Sequence, residues 1–309
     1  MRHSDSRLNA LAVGSTLLCI GMALWIPDTA STMAPWLVLV SVFVIGIPHG
    51  AIDHIIASRL YGLNQTLRSH LLFYAGYLLI MLVIGALWIV APVAGMAFFL
   101  LISAYHFGQA DAEEFLAQRT GWRHLLTAGR GLFIITLIVF PFPDLSYPIM
   151  AEAMRISEGA LVGRLPEPSA ALWLSAGCYT LSILILLALK QLEKPLLLVA
   201  DSLLLVALFL ITGPLIGFAL YFALWHSAGH VTEMRDYLRS QNRSLSVAGF
   251  YKKAAPFTLV SIAGLALLAG VQQALQLQEE FLSLLFILIS VLTLPHMIIV
   301  DKMYTASDS

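Results

Sequence analysis

The chain is built almost entirely from apolar runs of about 20 residues, the length of helix that crosses the ~30 Å hydrocarbon core of a bilayer. In that solvent every backbone N–H and C=O must be paired within the protein, and a helix does this within itself. Ten runs meet the requirement: 9–26, 35–57, 70–90, 94–115, 124–141, 170–190, 195–212, 215–236, 254–274 and 281–303. Composition agrees, since 59% of the 309 residues are hydrophobic and 11% are charged. A soluble domain carries about 25% charged residues, so this chain lacks the polar surface to face water all round. The predicted fold is an all-α integral membrane protein, with about ten transmembrane helices in one bundle and a single polytopic domain over 1–309. Thr212-Gly213-Pro214 predicts a tight turn between the seventh and eighth spans. The 142–169 stretch, rich in Pro, Glu and Ser, is the one sizeable connection; a short interfacial helix is expected from Pro148 to Arg164.

Basic residues orient the spans. With the N-terminus in the cytoplasm, all of the 17 Lys and Arg except Arg155 and Arg164 fall on the inner side, as positive charge prefers. Both termini are therefore expected inside. Arg2 and Arg7 open the first run in the manner of a signal peptide, but no A-x-A site follows, so it is read as a retained helix. The net charge of −1 gives nucleic acid no basic patch to bind. Cys19 and Cys178 both lie in apolar runs and read as packing residues, with no CxxC motif.

Strongly polar side chains inside the hydrocarbon region are costly and mark functional sites by default. Four spans hold nearly all of them: the second with His49 and Asp53, the fourth with His106 and Asp111, the eighth with His226 and His230, and the tenth with His296 and Asp301. These even-numbered helices all run from outside to cytoplasm. His49, His106 and His226 each precede the inner end by about ten residues, hence ~15 Å, near mid-bilayer. His230 and His296 lie one to two turns closer to the cytoplasm. Histidines placed only for packing have no reason to share a depth.

His226 and His230, at i and i+4, fall on one helix face and form a chelating pair. Ser227, Ala228 and Gly229 between them are small enough to admit a neighbouring helix or a ligand. Pro48 and Pro295 each precede a histidine and predict kinks that aim it inward. Imidazoles suit zinc, copper, iron or nickel. Asp53, Asp111, Glu233 and Asp301 follow the histidines by a turn or so, where a carboxylate would accept the second ring N–H of a ligand; for Glu233 a place at the helix end is the better reading. Tyr105, Phe107, Tyr221, Phe222 and Trp225 share the depth of the site and would wall a flat apolar ligand. His3, His70 and His124 read as interfacial, His54 faces away from His49, and Asp201 reads as a structural hydrogen-bonding group. Three function classes remain open on these grounds: a metal-dependent enzyme for a lipid-soluble substrate, a bis-histidine haem redox protein, and an ion- or proton-coupled transporter.

The motifs Pro48-His49-Gly50-Ala51-Ile52-Asp53, Tyr105-His106-Phe107-Gly108-Gln109-Ala110-Asp111, Trp225-His226-Ser227-Ala228-Gly229-His230 and Pro295-His296-Met297-Ile298-Ile299-Val300-Asp301 resemble, in order, the signatures of the Brp/Blh family of membrane β-carotene 15,15'-dioxygenases. The resemblance implies Fe(2+) held by His49, His106, His226 and His230. It implies cleavage of the central double bond of β-carotene by dioxygen to two molecules of retinal, which an opsin could accept. His296 and Asp301 match the fourth motif, in a supporting or pocket-shaping role with Asp53 and Asp111. A multi-pass protein of the inner cell membrane is expected.

Overall fold

A computed structural model describes residues 5–63, 66–116, 121–242, 244–274 and 281–306. Arg2 and His3, and Arg119 and Arg243 among the basic residues assigned to the inner side, lie outside the described residues. The described residues are 88% helical, and among them the only β-type pairing is an isolated bridge between Leu116 and Leu192.

Helix starts follow local chemistry. Asp5 caps α1 (Ser6–Trp25) by accepting from the Arg7 and Leu8 N–H groups at 3.0 and 3.2 Å. Proline, whose missing N–H costs nothing in a first turn, opens α2 (Pro27–Val40), α6 (Pro92–Phe115), α8 (Pro143–Ala153), α10 (Pro168–Ala188) and α11 (Pro195–Leu220). Glu167 caps α10 through the Ala170 N–H; the Ser169 hydroxyl and that N–H hold its carboxyl below the usual range.

Eight helices among the described residues are long and apolar enough to cross a membrane. A ninth crossing arises if α7 (Arg123–Val139) and α8, bent by 99°, form one broken span. The longest continuous stretch, Pro195–Ser240, has 46 residues, ~69 Å of helix and twice what one crossing needs. Gly213 breaks it with φ 77° and ψ 178°, a conformation essentially confined to glycine, at the point where the sequence divides two spans. The 142–169 connection differs from its expected form. Its helix begins at Pro143, and a second short one, α9 (Glu158–Val162), follows.

The surface is inverted relative to a soluble protein. On α5 (Leu67–Val90) only Ile84 and Trp88 are buried, while Leu72, Leu78, Leu79, Leu82 and Val83 are exposed. Such a surface suits lipid.

The chain forms two compact units, interleaved along the sequence. Unit 1 comprises 1–45, 103–148 and 158–230. Within it α11 packs on α1, α2 and α7, and α7 on α10. Unit 2 comprises 46–102, 149–157 and 231–309. It holds α3 (Ile47–Gly50), α4 (Asp53–Leu60), α5, most of α12 (Ala228–Ser240), α13 (Val247–Ala274) and α14 (Phe281–Ala306). Its core joins Ile52 and Ile56 to Met234, Leu238, Phe250, Ile299 and Met303.

Candidate functional site

Two π-helical segments interrupt the regular helices, Ser41–Gly46 and Tyr221–Ser227. Each carries an extra residue per turn, an arrangement frequent at functional sites. The first leads directly into Pro48-His49, and the second contains His226. Pro48 has no N–H to donate to the preceding turn, so the kink expected there coincides with the change of helix type. At Pro295, by contrast, α14 runs through without interruption.

In unit 1 the second π segment brings together three histidines. Ring centroids are 4.7 Å apart for His106 and His226, 4.7 Å for His226 and His230, and 5.1 Å for His106 and His230. All three are 3% exposed or less, and His106 and His226 offer ring nitrogens within 4.8 Å of one another. A ligand nitrogen ~2.1 Å from a metal puts its ring centroid ~3 Å away, so adjacent ligands have centroids ~4.5–5 Å apart. The observed triangle has those dimensions. Three imidazoles with no thiolate form a donor set for a borderline ion such as iron, zinc or copper.

Aromatic rings surround this triangle. Phe107 lies 4.8 Å from His226 and 5.2 Å from Tyr221, and Phe222 stacks on Phe218 at 5.1 Å. Trp225 is buried and its indole N–H donates to the Thr16 hydroxyl of α1 at 3.0 Å, fixing the π segment to its neighbour. Tyr105 is half-buried. The small residues between His226 and His230 are expected to admit a neighbouring helix or a ligand; Ser227 among them is fully buried, and a close helix approach is seen at Gly108 and Gly131. A Cβ on Gly229 would meet no described atom, whereas one on Gly108 would lie 1.9 Å from the Thr127 carbonyl oxygen and one on Gly131 1.7 Å from that of Ala104. The glycine two residues after His106 thus lets α6 and α7 touch backbone to backbone.

Asp111 forms an ion pair with Arg130, 2.9 Å from its Nε. Arg130 is 1% exposed and also donates to Tyr179 at 3.1 Å and to Ser202 at 2.7 Å. This network ties α6, α7, α10 and α11 together, and sequence reasoning missed it. Counted as an inner-surface charge, Arg130 in fact lies well inside α7; its flanking glycines, Gly129 and Gly131, were the available signal.

In unit 2 His49 is buried and its Nδ1 contacts the Gly46 carbonyl. A carbonyl only accepts, so Nδ1 carries the proton and a metal would meet the ring at Nε2. Asp53, four residues after His49 in sequence, serves His296 in space. Its carboxylate accepts from His296 Nδ1 at 2.9 and 3.1 Å and from the Tyr77 hydroxyl at 3.0 Å. The His49 and His296 rings are edge-to-face with centroids 4.6 Å apart. Tyr77, one of two tyrosines in the apolar α5, gave no sequence signal. Asp301 is half-buried on α14. Glu233, read as a helix-end carboxylate, is instead buried and accepts from the Tyr304 hydroxyl at 2.5 Å. His54 packs against Phe257 and Tyr74, which also stack on each other.

Comparison with known proteins adds an independent line. The family model described as beta-carotene 15,15'-dioxygenase matches residues 40–304. The probable beta-carotene 15,15'-dioxygenase Blh of Halobacterium salinarum is 29% identical over 287 residues, covering 85% of this chain and 82% of the relative. The beta-carotene 15,15'-dioxygenase of an uncultured marine bacterium, 66A03, is 24% identical over 283 residues, covering 89% and 95%. No solved structure matches the chain.

Proposed function

We propose that this chain, which belongs to the beta-carotene 15,15'-dioxygenase family, holds ferrous iron through His49, His106, His226 and His230 and uses it to split the central double bond of β-carotene. One dioxygen is consumed, the C=C bond breaks, and each oxygen atom becomes the carbonyl oxygen of one retinal. The single observation that carries the metal reading is the triangle of buried imidazoles in unit 1, whose spacing matches adjacent ligands of one ion. Its donor set fits iron, though the same nitrogens would also accept zinc or copper.

When bound, the metal supplies dioxygen activation, which no side chain can provide. The chain supplies the rest. Its histidines bind as neutral imidazoles, and the Gly46 carbonyl sets the tautomer of His49 so that Nε2 is the coordinating nitrogen. Burial keeps water from the histidines. Phe107, Tyr221 and Phe222, with Tyr105 and Trp225, provide apolar walls for a polyene. The substrate dissolves in the bilayer, so it enters laterally between helices and needs no aqueous channel. The inner cell membrane is the proposed location, and an opsin is the proposed acceptor of the retinal.

Expression in bacteria that accumulate β-carotene tests this reading. The expected result is loss of orange colour with retinal in the extract, and neither with His106→Ala. Retained colour together with a Soret band in the purified protein contradicts it.

A further inference from the structure

We propose that His296 joins His49 as a nitrogen donor to the metal, presented by a Tyr77–Asp53–His296 hydrogen-bond chain. The inference rests on the metal reading above and extends it to a residue and a positioning pair outside the four-histidine set.

Four observations carry it. The His296 Nδ1 faces a carboxylate, which accepts and does not donate, so Nδ1 bears the proton and a metal would meet the ring at Nε2. That is the tautomer the Gly46 carbonyl imposes on His49. The edge-to-face centroid separation of 4.6 Å between the two rings matches the ~4.5–5 Å of neighbouring ligands on one ion. His49, Asp53 and His296 are 6%, 3% and 4% exposed, and an acid buried at that depth needs compensation. Tyr77 supplies one hydrogen bond and His296 another.

Carboxylate, histidine and metal in series is the usual way a protein orients a ligand and raises its basicity. The three residues come from α5, α4 and α14, and Asp53 and His296 are 243 positions apart in sequence. Gly50 lies against the ring: a methyl there would meet His296 Nδ1 at 3.4 Å, an ordinary contact.

The test uses the full-length protein purified in detergent, stripped of metal and titrated anaerobically with Co(II). The readouts are affinity, the visible d–d absorption, and the number of imidazoles counted by X-ray absorption. His296→Ala is expected to remove one imidazole and change the d–d bands. Asp53→Asn is expected to weaken binding ~10–100-fold, and Tyr77→Phe to weaken it less, both with the apo-protein melting temperature near wild type. Should His296→Ala fail to fold, Asp53→Asn and Tyr77→Phe decide the matter. Wild-type affinity and spectrum in any folded His296 or Asp53 variant overturns this proposal alone. Failure of the wild type itself to bind Co(II) overturns the metal reading and this proposal with it.

Discussion

Arg130 shows at the level of single residues how a membrane interior tolerates charge. Its guanidinium is shared among Asp111, Tyr179 and Ser202, and Tyr179 and Ser202 also bond each other at 3.0 Å. Removing one partner of a buried ion pair strands the other, at a cost of ~3–5 kcal/mol. Arg130→Met is therefore expected to lower the melting temperature sharply, and adding Asp111→Leu to recover most of the loss; equal melting of wild type and Arg130→Met in detergent would refute this. The histidines were legible in the sequence because each is a polar group in an apolar run, and no alignment of helices is needed to notice that. Their partners were not. Asp53 follows His49 by four residues, one helical turn, and both face His296 of α14, a partner 243 positions away that sequence spacing could not name. Arg130 was misread because a basic residue near a span's inner end looks the same whether it faces water or a buried acid.

Among the helices, length and apolarity located the spans well, and Thr212-Gly213-Pro214 announced the break that Gly213 makes. The two π segments gave no warning, since an extra residue in a turn leaves composition unchanged. They matter most for the site, one leading into His49 and the other containing His226. The contact of α6 with α7 was equally hidden, though Gly108 lies inside a recognised motif. Gly108→Ala would press a methyl against the Thr127 carbonyl, backbone that cannot yield as a flexible side chain can. The expected cost is ~1–3 kcal/mol, with loss of cleavage as the helix bearing His106 shifts. Gly85→Ala on α5, where a Cβ meets no described atom, should leave melting unchanged or raised, since alanine favours helix by ~1 kcal/mol. Equal melting of Gly108→Ala and Gly85→Ala would remove the case for backbone contact there.

For the molecule as a whole, lipid replaces water as the solvent that the surface must suit. Apolar side chains therefore crowd the outside while histidines, carboxylates and an arginine are buried. A water-insoluble polyene and a buried set of imidazoles are compatible in that setting, and family membership names the reaction. The most direct measurement is retinal formed per β-carotene consumed by the purified protein, first stripped of metal by a chelator and then resupplied anaerobically with Fe(II) before oxygen is admitted. Two retinal per β-carotene, absent from the stripped protein, restored by Fe(II) and abolished by His226→Ala, is the predicted result. Undiminished cleavage by the stripped protein, or by His226→Ala, would contradict a metal held by these histidines.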